Sequence, residues 1–499
     1  MFDAIVIGAG HNGLTTANYL AMGGLKTCVL EQRHVVGGAA VSEEFHPGFR
    51  NSVASFLVSL LRNEVIEELC LSDYGYSATV VETGFYPDSK GDYLLLTGDE
   101  DHDRREIGRF SNSDFDNLDK FYDAVDKVGN VLAQQWLKEP PRLHGGGLAD
   151  LLDAMKLGLD VRKLDADARW RLLQFFMGPP DAIIERWFDS DKVKAMIAAS
   201  ITPGNYASLQ QPGASLAMLH HAVGEVAGIK GAWGLVPGGM GTVTQAMAKA
   251  AEAKGVEIRT NASVASIIIE QGSAQGVRLQ TGEELRAPVI AANTDPNRTF
   301  LKLVGKAHLP ESFARDIEAF RQESASLRIN LALKGLPDFA CLPGTKLSEH
   351  HRSSIMMVES KTHIDEAYYS ARAGIPANPP IIEALIPSAM DESLTDEPGT
   401  HVMSLLCKYM PYDLQDGVHW DVAKPQVYEQ IIDHVETMIP NIRQIMVGHQ
   451  CLTPLDLERM FGLTRGDICH GKLEPDQLFS ARPHPDAAQY ATPIKGLFL

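Results

Sequence analysis

Three glycines, Gly8, Gly10 and Gly13, stand between the strand-like run Asp3-Ala4-Ile5-Val6-Ile7 and the helix-like run Leu14 to Ala21. This GxGxxG spacing constrains the chain more than any other feature. The first glycine permits a tight strand-to-helix reversal, the second lets backbone approach a pyrophosphate, and the third lets helix and strand pack closely. Phosphates then face amide N–H groups at the positive end of a helix dipole. Glu31 closes the next apolar run, Thr27-Cys28-Val29-Leu30, 18 positions beyond Gly13. An acidic residue at that distance accepts hydrogen bonds from the ribose hydroxyls of an adenosine. Residues 1 to 31 therefore read as a βαβ dinucleotide-binding unit, its helix stopped by Gly23-Gly24.

The choice between FAD and NAD turns on the residues just beyond this unit. Gly37-Gly38-Ala39-Ala40 comes five residues after Glu31, and small residues let a long cofactor run on past the pyrophosphate with backbone packed against it. That favours FAD. Arg33 adds either a charge-assisted contact near the phosphates or ribose, or a solvent-facing charge. His11 and Asn12 sit in the phosphate turn, where Asn12 can hydrogen-bond backbone or phosphate, while His11 is at the wrong end of the cofactor to act as a base. No second GxGxxG lies between a strand and a helix: Gly145-Gly146-Gly147 lacks a preceding strand, and Gly238 to Gly241 follows Pro237 in a loop. One dinucleotide is held, with no separate nicotinamide domain. Electrons leave to oxygen, a quinone or another acceptor, or return to the substrate.

With 499 residues and 44% hydrophobic content, the chain can bury a large core, in two or more domains or in one heavily inserted domain. A formal net charge of −19 and the absence of a dense Lys/Arg run argue against a nucleic-acid partner. The first strand begins at residue 3, so no signal peptide is expected ahead of it, and a cytoplasmic location is the expectation. No apolar run approaches the roughly 20 residues needed to span a bilayer; Val53 to Leu61 is broken by Ser55 and Ser59. Peripheral contact with a membrane surface stays open. The six cysteines (Cys28, Cys70, Cys341, Cys407, Cys451, Cys469) include no CxxC and no metal spacing. They read as reduced structural thiols, which argues against dithiol electron transfer and against a metal site.

Residues 61 to 225 read as mostly helical, with breaks at Pro140-Pro141, Gly145 to Gly147, Pro179-Pro180 and Pro212-Gly213. Trp170, Leu173, Phe176 and Trp187 are expected in the core of that helical region. Residues 234 to 296 return to α/β alternation: a helix with Val243, Met247 and Ala250 on one face, a short strand Val256-Glu257-Ile258, then a small meander over 264 to 292. Further on, Leu327 to Leu333 reads as a strand and Pro425 to Met438 as a helix. His220-His221 and Arg328 are chargeable residues in regions able to line a substrate space, but surface or core roles are preferred and neither is nominated as catalytic. The sequence assigns no catalytic residue.

The opening run, continued by Leu30-Glu31-Gln32-Arg33 and Val36-Gly37-Gly38-Ala39, resembles the phytoene desaturase-related FAD-dependent oxidoreductases. Further matches are Pro237-Gly238-Gly239-Met240-Gly241, Thr453 to Glu458, Gly471, Asp476 to Phe479 and Arg482-Pro483, so the resemblance spans nearly the whole chain. It implies an α/β fold: a glutathione-reductase-like FAD-binding Rossmann domain (1–60, 228–300 and 455–499) with an inserted α+β substrate domain (61–227 and 301–454). It further implies Gly8, Gly10 and Gly13 at the pyrophosphate, Glu31 on the ribose, and Gly37, Gly38, Ala39 and Ala40 along the cofactor, with His11, Asn12, Gln32 and Arg33 among the cofactor-binding positions. Val264 would lie near adenine, Pro237, Gly238, Gly239 and Met240 close to the flavin ring, and Asn293 among the cofactor-binding positions. In relatives, the strand matching Gly496-Leu497-Phe498-Leu499 leads into a glycine-rich segment and a helix facing the flavin. This sequence stops at Leu499, and the expectation is a flavin domain lacking its last helix. The activity implied is desaturase, saturase or isomerase chemistry on a hydrophobic, polyunsaturated small molecule. Two alternatives are an FAD amine oxidase, which requires aromatic residues flanking the flavin, and a flavin-poor nonenzymatic interaction protein. Oligomeric state is not legible.

Overall fold

The computed structural model describes residues 1–142 and 147–499, with the side chains of Ala149, His220 and His221 outside the description. Gly145 and Gly146, expected to form part of a break, lie outside the described residues, as do the side chains of the His220-His221 pair.

Strand β1 (Ala4–Ile7), helix α1 (His11–Met22) and strand β2 (Thr27–Leu30) form the opening unit. Every residue of both strands is buried, as befits parallel strands covered on two faces. Helix α2 (Gly241–Ala253), strand β3 (Glu257–Arg259), strand β4 (Val289–Ala292) and strand β5 (Leu497–Phe498) complete a five-stranded parallel sheet in the order β3-β2-β1-β4-β5. Helices α1 and α2 pack together in one cluster that includes the small buried residues Ala17 on one and Ala246 and Ala250 on the other. Asn18 between them is buried, and its Nδ2 donates to the carbonyls of Leu14 at 2.9 Å and Met247 at 3.0 Å. A buried amide is tolerated when its hydrogen bonds are filled. The three-stranded antiparallel meander Val264–Glu270, Ser273–Leu279 and Glu284–Arg286 covers the sheet.

A second sheet has seven strands, ordered Met446–Leu452, Ser326–Leu333, His401–Lys408, Ile381–Leu385, Ser354–Met357, Gly84–Pro87 and Tyr93–Leu96. The last two correct the mostly helical reading of 61 to 225. Their partners lie far along the chain, Ser354 pairing with Gly84 and Ile355 with Phe85, so local pattern could not reveal them. Alternation with a period of two gives this sheet two characters. Leu327, Ile329, Leu331, Met403, Leu405 and Cys407 form one face, packed on the helix Trp420–Met438. That helix begins five residues before the expected Pro425, which is carried inside it. The opposite face carries Arg328, Asn330, Ser404, Lys408 and Glu383, all buried.

Phe176 and Trp187 pack against the helical core as expected. Trp170 and Leu173 do not: both are more than half exposed. Helical periodicity gives the direction of an apolar face but not whether anything covers it.

Candidate functional site

β1 ends at Ile7, and Gly8 turns the chain at φ +95, its N–H donating to the Leu30 carbonyl at 2.8 Å. A Cβ on Gly13 would stand 2.1 Å from the Gly8 carbonyl oxygen, closer than any real side chain comes. Gly10 is the N-cap of α1 and brings no side-chain cap, and the first turn carries no acidic residue. The N–H groups of that turn are thus left for an outside acceptor. His11 and Asn12 are exposed at this end.

Glu31 is buried. Its Oε2 accepts from the Ala9 N–H at 2.8 Å and its Oε1 from the Arg33 N–H at 2.9 Å. Each oxygen keeps a further lone pair, so the carboxylate is fixed in place but not used up. The Glu31 N–H donates to the Arg259 carbonyl, and the Ala262 N–H donates to the Glu31 carbonyl, both at 2.8 Å. These bonds run the segment leading to buried Val264 beside Glu31.

The Arg33 side chain is only 13% exposed and so is not a solvent-facing charge. Its Nη2 donates to Glu43 at 2.6 Å, and its guanidinium lies 5.2 Å from the Phe461 ring. Nη1 is buried without an acceptor among the described residues. Gln32 Oε1 accepts from Arg298 at 3.3 Å. Asn293 follows β4, and its N–H donates to the Ile7 carbonyl at 2.9 Å. Its Nδ2 lies 3.1 Å from where a Gly10 Cβ would be.

Gly37 and Gly38 adopt φ +130 and +54, and the Gly37 N–H donates to the Ala9 carbonyl at 2.8 Å. Ala39 and Ala40 continue this turn. The phosphate loop, Glu31, Arg33, the Gly37 turn and Asn293 therefore meet in one place. Pro237 to Met240 does not join them directly. Its backbone is tied to the hairpin Ser42–His46 and Phe49–Ser52: the Met240 N–H donates to Ser52 Oγ and the Gly241 N–H to Ser42 Oγ, each at 2.9 Å. The Gly238 N–H donates to Asp391 at 2.7 Å. That hairpin is the continuation of the Gly37 turn, so the two groups lie at successive stations along one strip of backbone.

One segment of this region carries no motif that sequence reasoning singles out as a binding site. Residues 464–471 approach the phosphate loop, with His470 near enough to His11 to act on its charge. Although His11 is open to solvent, the surrounding protein and then the charge of His470 hold its pKa below the usual histidine range. Asp295 caps this segment, accepting from Thr464 Oγ1 at 2.8 Å. Left-handed backbone at Arg465 and His470 marks local strain of the kind that gathers at functional sites. In sequence its signal is the Gly471 match, which the family resemblance includes without giving it a role.

Burial raises the Asp467 pKa to about 6 against the backbone bond to Cys469, the charge of Arg482 and a backbone contact from Gly471. A carboxyl whose folded pKa exceeds its unfolded value binds its proton more tightly when folded. Its stabilising contribution is complete below the unfolded pKa of 3.8 and is lost as pH rises through about 6. Asp467→Asn is therefore expected to match the parent near pH 4 and to exceed it by roughly 1–3 kcal/mol at pH 7.5, read by thermal unfolding at the two values.

The bare helix N-terminus, the half-used oxygens of Glu31 and the orphan Nη1 of Arg33 together suit a diphosphate joined to a ribose. No group of three His, Cys, Asp or Glu among the described residues is placed to hold a metal ion. Residues 3–481 match the model of the FAD dependent oxidoreductase family. Pyridine nucleotide-disulfide oxidoreductase domain-containing protein 2 of Rattus norvegicus is 37% identical over 522 aligned positions, covering 100% of this chain and 89% of that protein. A limonene dehydrogenase polypeptide of Castellaniella defragrans is 26% identical, covering 100% and 90%, and the chloroplastic prolycopene isomerase of Daucus carota 25%, covering 91% and 69%. Among solved structures, an oxidoreductase from Methanosarcina mazei shares the fold with a TM-score of 0.60 at 16% identity over 99% of this chain and 93% of that one. A putrescine oxidase variant shares it at 0.58 and 14%, over 100% and 92%. The chain belongs to the FAD-dependent oxidoreductase family, and FAD is its cofactor.

Proposed function

We propose that the chain removes, adds or relocates hydrogen on a hydrophobic, polyunsaturated substrate, as a phytoene desaturase-like member of its family. The observation that carries this reading is likeness along nearly the whole chain to proteins named for terpenes, limonene and prolycopene. FAD supplies the hydride or electron transfer when bound, and the protein positions the reactants and excludes water. In this reading the N-terminal amides of α1 hold the pyrophosphate, with Arg33 Nη1 as an added donor, and Glu31 takes the ribose hydroxyls. Val264 lines the adenine, and Pro237 to Met240 border the flavin ring. Anaerobic incubation of yellow holoprotein with unsaturated lipids and terpenes tests it: bleaching of flavin absorbance is the expected result. Persistent oxidised flavin with every such compound, or bleaching by amines with peroxide release on aeration, would contradict it and favour an amine oxidase.

The same reading has the protein working in the cytoplasm at a lipid surface from which such substrates are drawn. Its support is an apolar face on two neighbouring helices, Leu148–Lys163 and Ala166–Met177: Leu148, Leu151, Leu152, Met155, Leu159, Leu173 and Met177 are each close to half exposed or more. Leu148, Leu151, Leu152, Met155 and Leu159 follow helical spacing along one side. No helix among the described residues is long and apolar enough to cross a membrane. The double substitution Leu151→Glu with Met155→Glu is expected to reduce co-sedimentation with phosphatidylcholine vesicles at least about tenfold, without loss of bound FAD. Equal sedimentation of both proteins would remove this part of the reading.

A further inference from the structure

The polar face of the seven-stranded sheet holds a buried cation that the protein neutralises only in part. Arg328 is 1% exposed. Only its Nη2 has an acceptor, Ser404 Oγ at 2.8 Å, while Nε and Nη1 have none among the described residues. In place of a carboxylate, the Phe56 ring lies over the guanidinium at 4.3 Å. Glu383 shares a cross-strand row with Arg328, both opposite Leu406. Its carboxylate, however, is engaged by Lys408 Nζ at 3.0 Å, and that ammonium also donates to Thr202 at 2.9 Å. Two buried cations thus share one carboxylate. Burial lowers the pKa of Arg328 to about 9 even with Glu383 opposing it, a measure of how poorly this charge is compensated.

Backbone hydrogen bonds link this cation to the segment that the proposed reading runs along the cofactor. The Gly37 N–H donates to the Ala9 carbonyl, the Val53 N–H to Val41 and the Ser55 N–H to Ala39, at 2.8, 2.9 and 2.9 Å. Phe56 is the next residue, half-buried, on the same strip that carries the contacts to Pro237 to Met240. The side chain of Asn51 on this strip donates to Asn330 at 2.9 Å and to Ser404 at 2.5 Å, tying the strip to the sheet beside Arg328.

We propose that Arg328 anchors a carboxylate on the substrate, with the Phe56 ring giving way as the acid enters. The substrate is then a lipophilic carboxylic acid, its hydrocarbon part toward the flavin and its oxyanion paired with the guanidinium. A planar guanidinium matches a carboxylate in shape and charge better than an aromatic face does. The assignment rests on the hydrophobic-substrate reading given above and narrows it.

The test is titration of FAD-loaded protein with an unsaturated fatty acid and its methyl ester, followed by calorimetry and by perturbation of the flavin spectrum. The parent is expected to bind the acid at least tenfold more tightly than the ester. Arg328→Met is expected to lose that preference while keeping its FAD affinity, and Arg328→Lys to recover part of it. Equal affinity for acid and ester in the parent overturns the anchor but leaves the hydrophobic-substrate reading standing. An Arg328→Met protein that keeps the preference, or that loses FAD while keeping the preference, also overturns the anchor, the second result assigning the guanidinium to the cofactor. Failure of acid, ester and parent hydrocarbon alike to bind overturns both. The parent comparison needs no variant, so it holds even if Arg328→Met does not fold.

Discussion

Gly13→Ala is expected to yield protein that purifies without yellow colour and loses at least about 3 kcal/mol of stability. The added Cβ would stand 2.1 Å from a backbone carbonyl, that of Gly8, and 3.0 Å from Asn293 Nδ2. Neither the new methyl nor a backbone oxygen can rotate away, so α1 must retreat from β1. That retreat moves the helix N-terminus whose free amides are proposed to hold the pyrophosphate. Gly24→Ala is the control: it too has positive φ, +85, but nothing within 4 Å of its Cβ, so about 1–2 kcal/mol of left-handed strain is expected with FAD retained. Thermal unfolding and the ratio of visible to ultraviolet absorbance read both effects.

Glu31→Ala is expected to weaken FAD binding by roughly 100- to 1000-fold, about 3–4 kcal/mol. It removes the acceptor for two N–H groups, Ala9 and Arg33, and the two oxygens proposed to take the ribose hydroxyls. Glu31→Gln keeps one acceptor oxygen but turns an NH2 toward one of those N–H groups, and should fall between. Calorimetric titration of FAD into the apoproteins measures the series. An unchanged affinity in Glu31→Ala would mean that the adenosine lies elsewhere.

Sequence reveals what depends on near neighbours. The opening βαβ unit, α2 and the meander are built from short local segments, and their glycines mark turns that few other residues can make. Glu31 belongs to that opening unit, whereas the burial of Arg33 depends on Glu43 and on Phe461 from the far end of the chain. The strands Gly84–Pro87 and Tyr93–Leu96 are hidden because they join a sheet built from residues beyond 325, and short strands without long alternation resemble helix ends. Trp170 and Leu173 mislead because spacing alone cannot say whether an apolar face is covered. Arg328 hides for the opposite reason. An arginine alternating with Leu327 and Ile329 reads as the wet side of a strand, and only the arrival of Asn51 and Phe56 from the opening segment of the chain makes that side dry.

Binding of one FAD through its adenosine and pyrophosphate, in the cradle formed by Gly8 to Gly13 and Glu31, is tested most directly by parallel calorimetric titration of apoprotein with FAD and with riboflavin, which lacks both groups. The predicted result is one FAD per chain, with riboflavin binding at least about a hundredfold weaker, the loss of about 3 kcal/mol or more of phosphate and ribose contacts. Equal binding of the two, or no heat with FAD, would contradict it.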